Sequence, residues 1–166
     1  MTDYERLIRT LAEGRVEFII VGGLAAVAHG SARLTQDVDV VYSRSAENVR
    51  RLVDALRPLQ PYLRGAPPNL PFRWDEASVR RGLNFTLTTT VGDLDLLGEI
   101  TAGGGYQALL PQSMMLKLFG CECRCLALEP LIRIKRAVGR PKDLEALAEL
   151  ETLLEESGRA GPEKSG

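Results

Sequence analysis

The chain has 166 residues, 45% hydrophobic, 26% charged and 5% aromatic, enough for one aliphatic core and too ordinary a mixture for a fibrous repeat or wholesale disorder. With 21 Lys+Arg against 22 Asp+Glu, the formal charge of -1 excludes a strongly basic protein that grips nucleic acid by bulk electrostatics. No stretch approaches the roughly 18 apolar residues of a membrane span, and Met1–Arg6 carries no basic segment leading into an apolar one, so a cytoplasmic protein without membrane contact is expected.

Residues 3–13 place Tyr4, Leu7, Ile8 and Leu11 at helical spacing, with Gly14 as the stop. Val16–Val21 is a β-branched strand halted by Gly22-Gly23, and Leu24–His29 is a small Ala-rich helix. His29 closes that helix and reads as a half-buried, hydrogen-bonded residue rather than a ligand. Asp37–Tyr42 alternates acid and valine before turning fully apolar, and Ser45 opens a helix with Val49, Leu52, Val53 and Leu56 on one stripe. Residues 58–72 contain five prolines and form an irregular excursion, either a lid or a connector, before a short helix over Asp75–Arg81.

Leu83–Thr88 and Leu94–Leu97 are expected to form an antiparallel hairpin, turning at Val91-Gly92-Asp93. Met114–Phe119 and Glu122–Leu128 form a second strand pair around Gly120. All three cysteines alternate along it, at Cys121, Cys123 and Cys125, so their thiols share one strand face. A half-buried strand explains them; zinc is the sharper alternative but lacks a nearby fourth ligand. Helices over Pro130–Val138 and Pro141–Glu156 complete a single domain over residues 1–156, and residues 157–166 are expected to be disordered.

Chemistry concentrates first in Asp37-Val38-Asp39. Strand side chains alternate, so both carboxylates leave the same face about 7 Å apart, and their repulsion is costly unless a hard cation such as Mg²⁺ sits with them. An exposed polar edge strand is the plainer explanation. Upstream, a strand running into Gly22-Gly23 lets backbone N–H groups approach a phosphate. Asp95, between Leu94 and Leu96 in an otherwise buried run, is an acid needing a reason, and a general base or a ligand to a second metal supplies one. Asp93 shares its parity but follows Gly92 and reads as a turn residue. Lys135 falls within the apolar arc formed by Leu131, Ile132, Ile134 and Val138, so it needs an anion: a bound triphosphate, Asp143 or another acid.

These motifs resemble the polymerase-beta-type nucleotidyltransferase superfamily. Gly22-Gly23-Leu24-Ala25, Arg33-Leu34-Thr35-Gln36-Asp37-Val38-Asp39 and the late Lys135, Arg140 and Asp143 are similar to its AbiEii-like branch, found in toxin and antitoxin systems. The similarity spans about residues 15–150. It implies an α/β (α+β) fold, with a small mixed sheet flanked by helices. Also implied are two Mg²⁺ ions on Asp37, Asp39 and Asp95, and transfer of a nucleoside monophosphate from a nucleoside triphosphate (NTP) such as ATP with release of pyrophosphate. Gly22, Gly23 and Ser31 would line the phosphates, Lys135 would neutralise the leaving pyrophosphate, and Arg33 and Thr35 would fix the phosphates or the loop. The acceptor implied is RNA, such as a tRNA 3′ end, or a hydroxyl of a partner toxin or antitoxin protein, with a small molecule, as in antibiotic-modifying relatives, as the third choice. One departure is Gly23, where members of the superfamily carry a serine whose hydroxyl meets the triphosphate; backbone N–H or Ser31 would replace it. The rival from another class is an inactive module of the same fold that binds a nucleotide or a partner protein.

Overall fold

A computed structural model describes residues 1–33 and 35–164; Leu34, within the quoted motif, lies outside them. Helix α1 (Tyr4–Glu13) starts where the Asp3 carboxylate accepts from Arg6 N–H and ends at Gly14. Strand β1 (Phe18–Val21) is wholly buried and runs directly into helix α2 (Gly22–Ala28). Strand β2 (Asp37–Tyr42) follows, then helix α3 (Ala46–Leu56), capped by the Ser45 hydroxyl accepting from Asn48 N–H. The proline-rich excursion is partly ordered as a short strand, β3 (Tyr62–Leu63), leading to helix α4 (Glu76–Arg81). Its loop is pinned by Tyr62, whose ring meets Phe72 edge-on at 5.9 Å and whose hydroxyl donates to the Pro67 carbonyl. The hairpin is β4 (Phe85–Thr89) and β5 (Gly92–Leu97), with a small ribbon of β6 (Glu99–Ile100) and β7 (Gly104–Gly105) beyond it. Helix α5 (Tyr106–Leu109), β8 (Ser113–Leu118), β9 (Cys121–Leu126), helix α6 (Leu128–Val138) and helix α7 (Pro141–Lys164) complete the chain.

Seven strands form one mixed sheet in the order β3-β4-β5-β2-β1-β9-β8. The mixed α/β architecture expected from the sequence is therefore the one observed. Two parallel pairings matter for the site. β2 lies beside β5, with Asp37 against Asp93 and Asp39 against Asp95, and β1 lies beside β9, with Ile20 against Cys125. Between them β1 and β2 run antiparallel, putting Val21 against Asp39. Alternation then sorts the faces. Val38, Val40, Leu94 and Leu96 are fully buried on one side, while the four aspartates share the other.

Two expectations change, and the half-buried cysteine strand holds. Gly92, at φ +128°, belongs to β5 and the hairpin reverses at Thr90-Val91, so Asp93 is a strand residue rather than a turn residue. Helix α7 does not stop at Glu156 but continues to Lys164, because an isolated glycine such as Gly158 weakens a helix by about 1 kcal/mol without ending it; Ser165 and Gly166 lie outside the described residues. The cysteines do alternate on one face, but it is the core face: Cys123 and Cys125 are buried, and burial pushes the Cys125 thiol up to about 12. None of the three joins a group of metal-ligating side chains among the described residues.

Away from the site, Asn48 ties α3 to the sheet. Fully buried, its amide accepts from Glu17 N–H at 2.7 Å and donates to the carbonyls of Glu17 at 3.0 Å and Ser43 at 2.8 Å. Asn48→Ala strands the Glu17 N–H and the Ser43 carbonyl, and is expected to lower unfolding free energy by about 2–4 kcal/mol, measured by urea denaturation.

Candidate active site

Pairing of β2 with β5 is what assembles the site. Asp39 and Asp95 are direct cross-strand neighbours, and one carboxylate oxygen each from Asp37, Asp39 and Asp95 come within 4.8 Å of one another. This is tighter than the spacing along a single strand, because the third acid comes from beside the pair. Among the described residues it is the one cluster of three or more acidic, histidine or cysteine groups arranged to hold a metal ion.

The electrostatics are those of crowded anions. Burial, reinforced by Asp37 and Asp95, pushes the Asp39 carboxyl up to about 8. Asp37 is raised by burial and by Asp95, with Arg64 acting in the opposite direction. Asp39 Oδ1 is buried and has no hydrogen-bond partner. An orphaned, hard oxygen beside two further carboxylates fits a divalent cation such as Mg²⁺, which Asp37, Asp39 and Asp95 would hold.

Gly22 is the close-approach residue of the site. It sits at φ +65°, and a Cβ placed on it would lie 2.2 Å from Asp39 Oδ2. At Gly23 a Cβ would lie 2.6 Å from Thr35 Oγ1. Thr35 therefore fills the space that a serine at 23 would need, and its hydroxyl donates to the Asp37 carbonyl at 3.1 Å. The departure at Gly23 is thus coupled to Thr35 by simple exclusion.

A cavity of 380 Å³ opens over Gly22, Gly23 and the three acids, with Arg33, Lys135, Arg140 and Lys142 contributing positive charge. The structure brings Ser31 to it, but the Ser31 hydroxyl donates to Glu149 Oε1 at 2.6 Å, and Arg33 is half exposed and bonded to the Glu145 carbonyl at 3.0 Å. Both anchor the loop before β2 to α7. Lys135 Nζ lies 3.7 Å from Asp143 Oδ1, so the anion facing it here is Asp143, one of the alternatives open from the sequence. Burial works to raise the buried Asp143 carboxyl, but its bond to Arg140 at 2.7 Å and the charges of Arg140 and Lys135 hold it below the ordinary carboxylate value. His29 Nε2 is 2.8 Å from the Leu126 carbonyl, in a bonded, structural position.

A second cavity, of 430 Å³, adjoins the first at Gly22, Asp39, Lys135 and Arg140. Its walls mix apolar side chains, Leu97, Ile100, Leu131, Ile134 and Val138, with polar and charged ones, among them Asn84, Glu99, Thr101 and Asp143.

The residue that sequence reasoning missed is Arg64. Immediately after β3, it reaches across β4 to three of the acids: Nη2 is 2.8 Å from Asp95 Oδ1, Nε is 3.5 Å from Asp93 Oδ2 and Nη1 is 3.9 Å from Asp37 Oδ2. A signal was present, since Arg64 is the sole charged residue between positions 58 and 72.

The sequence matches no family model and no curated protein. Solved structures do resemble it. The lincosamide antibiotic adenylyltransferase LnuA, with lincomycin bound, superimposes with a TM-score of 0.60 over 92% of this chain and 98% of that one, at 14% identity. The fold is that of the nucleotidyltransferases. ANT(2″)-Ia in complex with adenylyl-2″-tobramycin gives 0.51 over 90% and 93% at 18% identity, and an antigenic nucleotidyltransferase-like protein from Paracoccidioides brasiliensis gives 0.52 over 97% and 88% at 16%. This nucleotidyltransferase fold contains, among the described residues, no helix long and apolar enough to cross a membrane.

Two outcomes test the site's construction. Because Asp39 binds its proton more tightly folded than unfolded, where its value is 3.8, metal-free stability should fall as pH rises from about 4 to about 8 and level off above. Asp39→Asn should flatten that fall, seen in thermal melts across pH. Gly22→Ala should destabilise by about 1–3 kcal/mol and displace the Asp39 carboxylate, seen as lost Mn²⁺ binding in a spin-resonance titration.

Proposed function

We propose that the protein is a Mg²⁺-dependent nucleotidyltransferase that moves a nucleoside monophosphate from an NTP to a hydroxyl acceptor. The observation carrying this reading is the convergence of Asp37, Asp39 and Asp95, with an unpartnered Asp39 oxygen, in a cavity whose lining also brings Arg33, Lys135, Arg140 and Lys142 to them. Bound Mg²⁺ would supply Lewis-acid polarisation of the phosphates and neutralise developing charge.

The chain's own residues do the rest. The 380 Å³ cavity takes the polyphosphate, with the Gly22-Gly23 backbone at close approach and Arg140, Lys142 and Lys135 offsetting its charge. Lys135 exchanges its contact with Asp143 for the pyrophosphate, while Arg140 keeps Asp143 paired. Asp95 receives the acceptor's hydroxyl proton as the acceptor oxygen bonds to the α-phosphorus and the bridging bond to the β-phosphate breaks, releasing pyrophosphate. Loop anchoring by Ser31 and Arg33 holds β2 and its acids in register with α7.

For the acceptor, the adjoining 430 Å³ cavity supports a small amphipathic molecule: its volume and its mixture of apolar and polar walls suit a compact ligand that carries both kinds of group. LnuA is solved with lincomycin and ANT(2″)-Ia with an adenylylated tobramycin, both small hydroxylated compounds in this fold. The AbiEii-like motifs support the other acceptors, a tRNA 3′ end or a partner protein in a toxin–antitoxin setting. The near-zero net charge weighs against RNA.

The decisive assay incubates the protein with each α-labelled NTP and Mg²⁺, in parallel with hydroxylated small molecules, total RNA and cell protein. Label is expected on a small molecule, and label on RNA or protein assigns the other acceptors. Asp37→Asn with Asp39→Asn should fold at least as stably, having lost like-charge repulsion, and transfer at less than about one hundredth of the wild-type rate. Undiminished transfer by the folded double variant overturns the reading, and NTP binding without transfer to any acceptor returns the protein to the class of binding modules.

A further inference from the structure

Resting on that metal-dependent reading, we propose that the centre operates with a single divalent cation and that the Arg64 guanidinium supplies the second positive charge, on the Asp95 side.

The geometry divides the acidic cluster in two. On one side Asp39 Oδ1 is buried and unpartnered, beside Asp37. On the other, Asp95 Oδ1 already receives a hydrogen bond from Arg64 Nη2 at 2.8 Å, and the same guanidinium faces Asp93 and Asp37. Asp95 has two oxygens, so one can serve Arg64 while the other joins Asp37 and Asp39 around a cation. Asp93, which lies outside the ligating triad, has its charge answered by Arg64 Nε, a buried group with no hydrogen-bond partner of its own.

Arg64 is a built part of the site. Its backbone N–H donates to the Thr86 carbonyl at 3.0 Å, its Nη2 also donates to the Leu87 carbonyl at 2.7 Å, and about a quarter of its side chain is exposed (28%). β3 is hydrogen-bonded to β4 through Tyr62 and Leu63, which fixes the point from which the side chain sets out. A guanidinium cannot lose its proton, and its planar fork meets carboxylate oxygens at set angles. A second divalent ion on Asp95 Oδ1 would have to share one oxygen with that permanent cation at contact distance, where like charges repel and one of the oxygen's lone pairs is already engaged. One divalent ion and one guanidinium together bring three positive charges to four carboxylates. The site therefore stays net anionic before the polyphosphate arrives, with Arg140, Lys142 and Lys135 on the far wall to receive it.

In the mechanism this makes Arg64 a positioning residue: it orients Asp95 through Oδ1 and compensates charge around the acid that receives the acceptor's proton. It also gives the proline-rich excursion a role, because that excursion delivers the second cation by chain connectivity.

The test counts metal ions directly. Mn²⁺ titration followed by electron spin resonance, with and without the non-transferable analogue α,β-methylene-ATP, is expected to give one tight equivalent in the wild type and two in Arg64→Gln. Natural-abundance or labelled guanidinium NMR of the wild type, with Arg64 assigned by comparison with Arg64→Lys, should show slowed rotation about its Cζ–Nη bonds both before and after saturation with Mg²⁺, because the Asp95 contact persists. Two tight equivalents in the wild type, one in folded Arg64→Gln, or release of the guanidinium on Mg²⁺ loading each overturns the proposal. If Arg64→Gln does not fold, the wild-type stoichiometry and NMR decide. Absence of Mn²⁺ binding in every form defeats the metal-dependent reading itself, an outcome distinct from a wrong ion count.

Discussion

Four carboxylates on one face of a sheet are the constraint around which the rest of this molecule is arranged. Parallel pairing of β2 and β5 sets Asp37 against Asp93 and Asp39 against Asp95, a juxtaposition that works against folding unless positive charge, protons or a bound cation offset it. The fold answers in three ways. The Asp39 carboxyl is pushed toward its neutral form, Arg64 spans the β5 side, and the opposite sheet face buries Val38, Val40, Leu94 and Leu96 without residual exposure. Hydrophobic burial on one face thus holds in place an electrostatic arrangement that the other face disfavours.

The same logic explains why the strand-to-helix turn is made of glycines. Gly22 lies so near Asp39 that even a methyl group would occupy the position of the carboxylate, and Gly23 leaves room for Thr35 alone. Backbone, rather than side chain, therefore forms the wall next to the acids, and the hydroxyl group near that wall comes from the loop before β2. Ser31, suggested by the sequence as a phosphate contact, and Arg33, suggested for the phosphates or the loop, are fastened in this structure to Glu149 and the Glu145 carbonyl, holding the loop against α7.

Two adjoining cavities give the active face a polarity. One, toward α7, sets Arg33, Lys135, Arg140 and Lys142 among its acids, and the other, between α6 and the end of β5, mixes apolar and polar side chains. Asp39, Gly22, Lys135 and Arg140 stand at their junction. Lys135 is placed to serve either side, and its resting partner Asp143 is doubly paired, so the lysine can leave without abandoning a bare carboxylate.

What the sequence determined alone was everything with a short period. The alternation of Asp37-Val38-Asp39 fixed two acids on one face, the anomalous acid in Leu94-Asp95-Leu96 marked the third, the Gly22-Gly23 stop marked the close approach, and the helical stripes fixed α1 and α3. Each depends on neighbours within a few residues, where backbone geometry is dictated by sterics and side-chain direction by the pleat or the helical turn. What only the tertiary structure decided was which distant segments lie side by side. That Asp93 is a strand residue opposite Asp37 depends on a hairpin reversing one step earlier than its glycine suggested, and that Lys135 faces Asp143 depends on how α6 packs on α7. Arg64 is the clearest case: as the lone charge in a proline-rich excursion it was visible, but its meaning required β3 to pair with β4 so that a long side chain could cross to β5 and β2. No local pattern encodes that reach, because the carboxylates that hold it belong to strands about thirty residues away in either direction and are brought to it by sheet pairing.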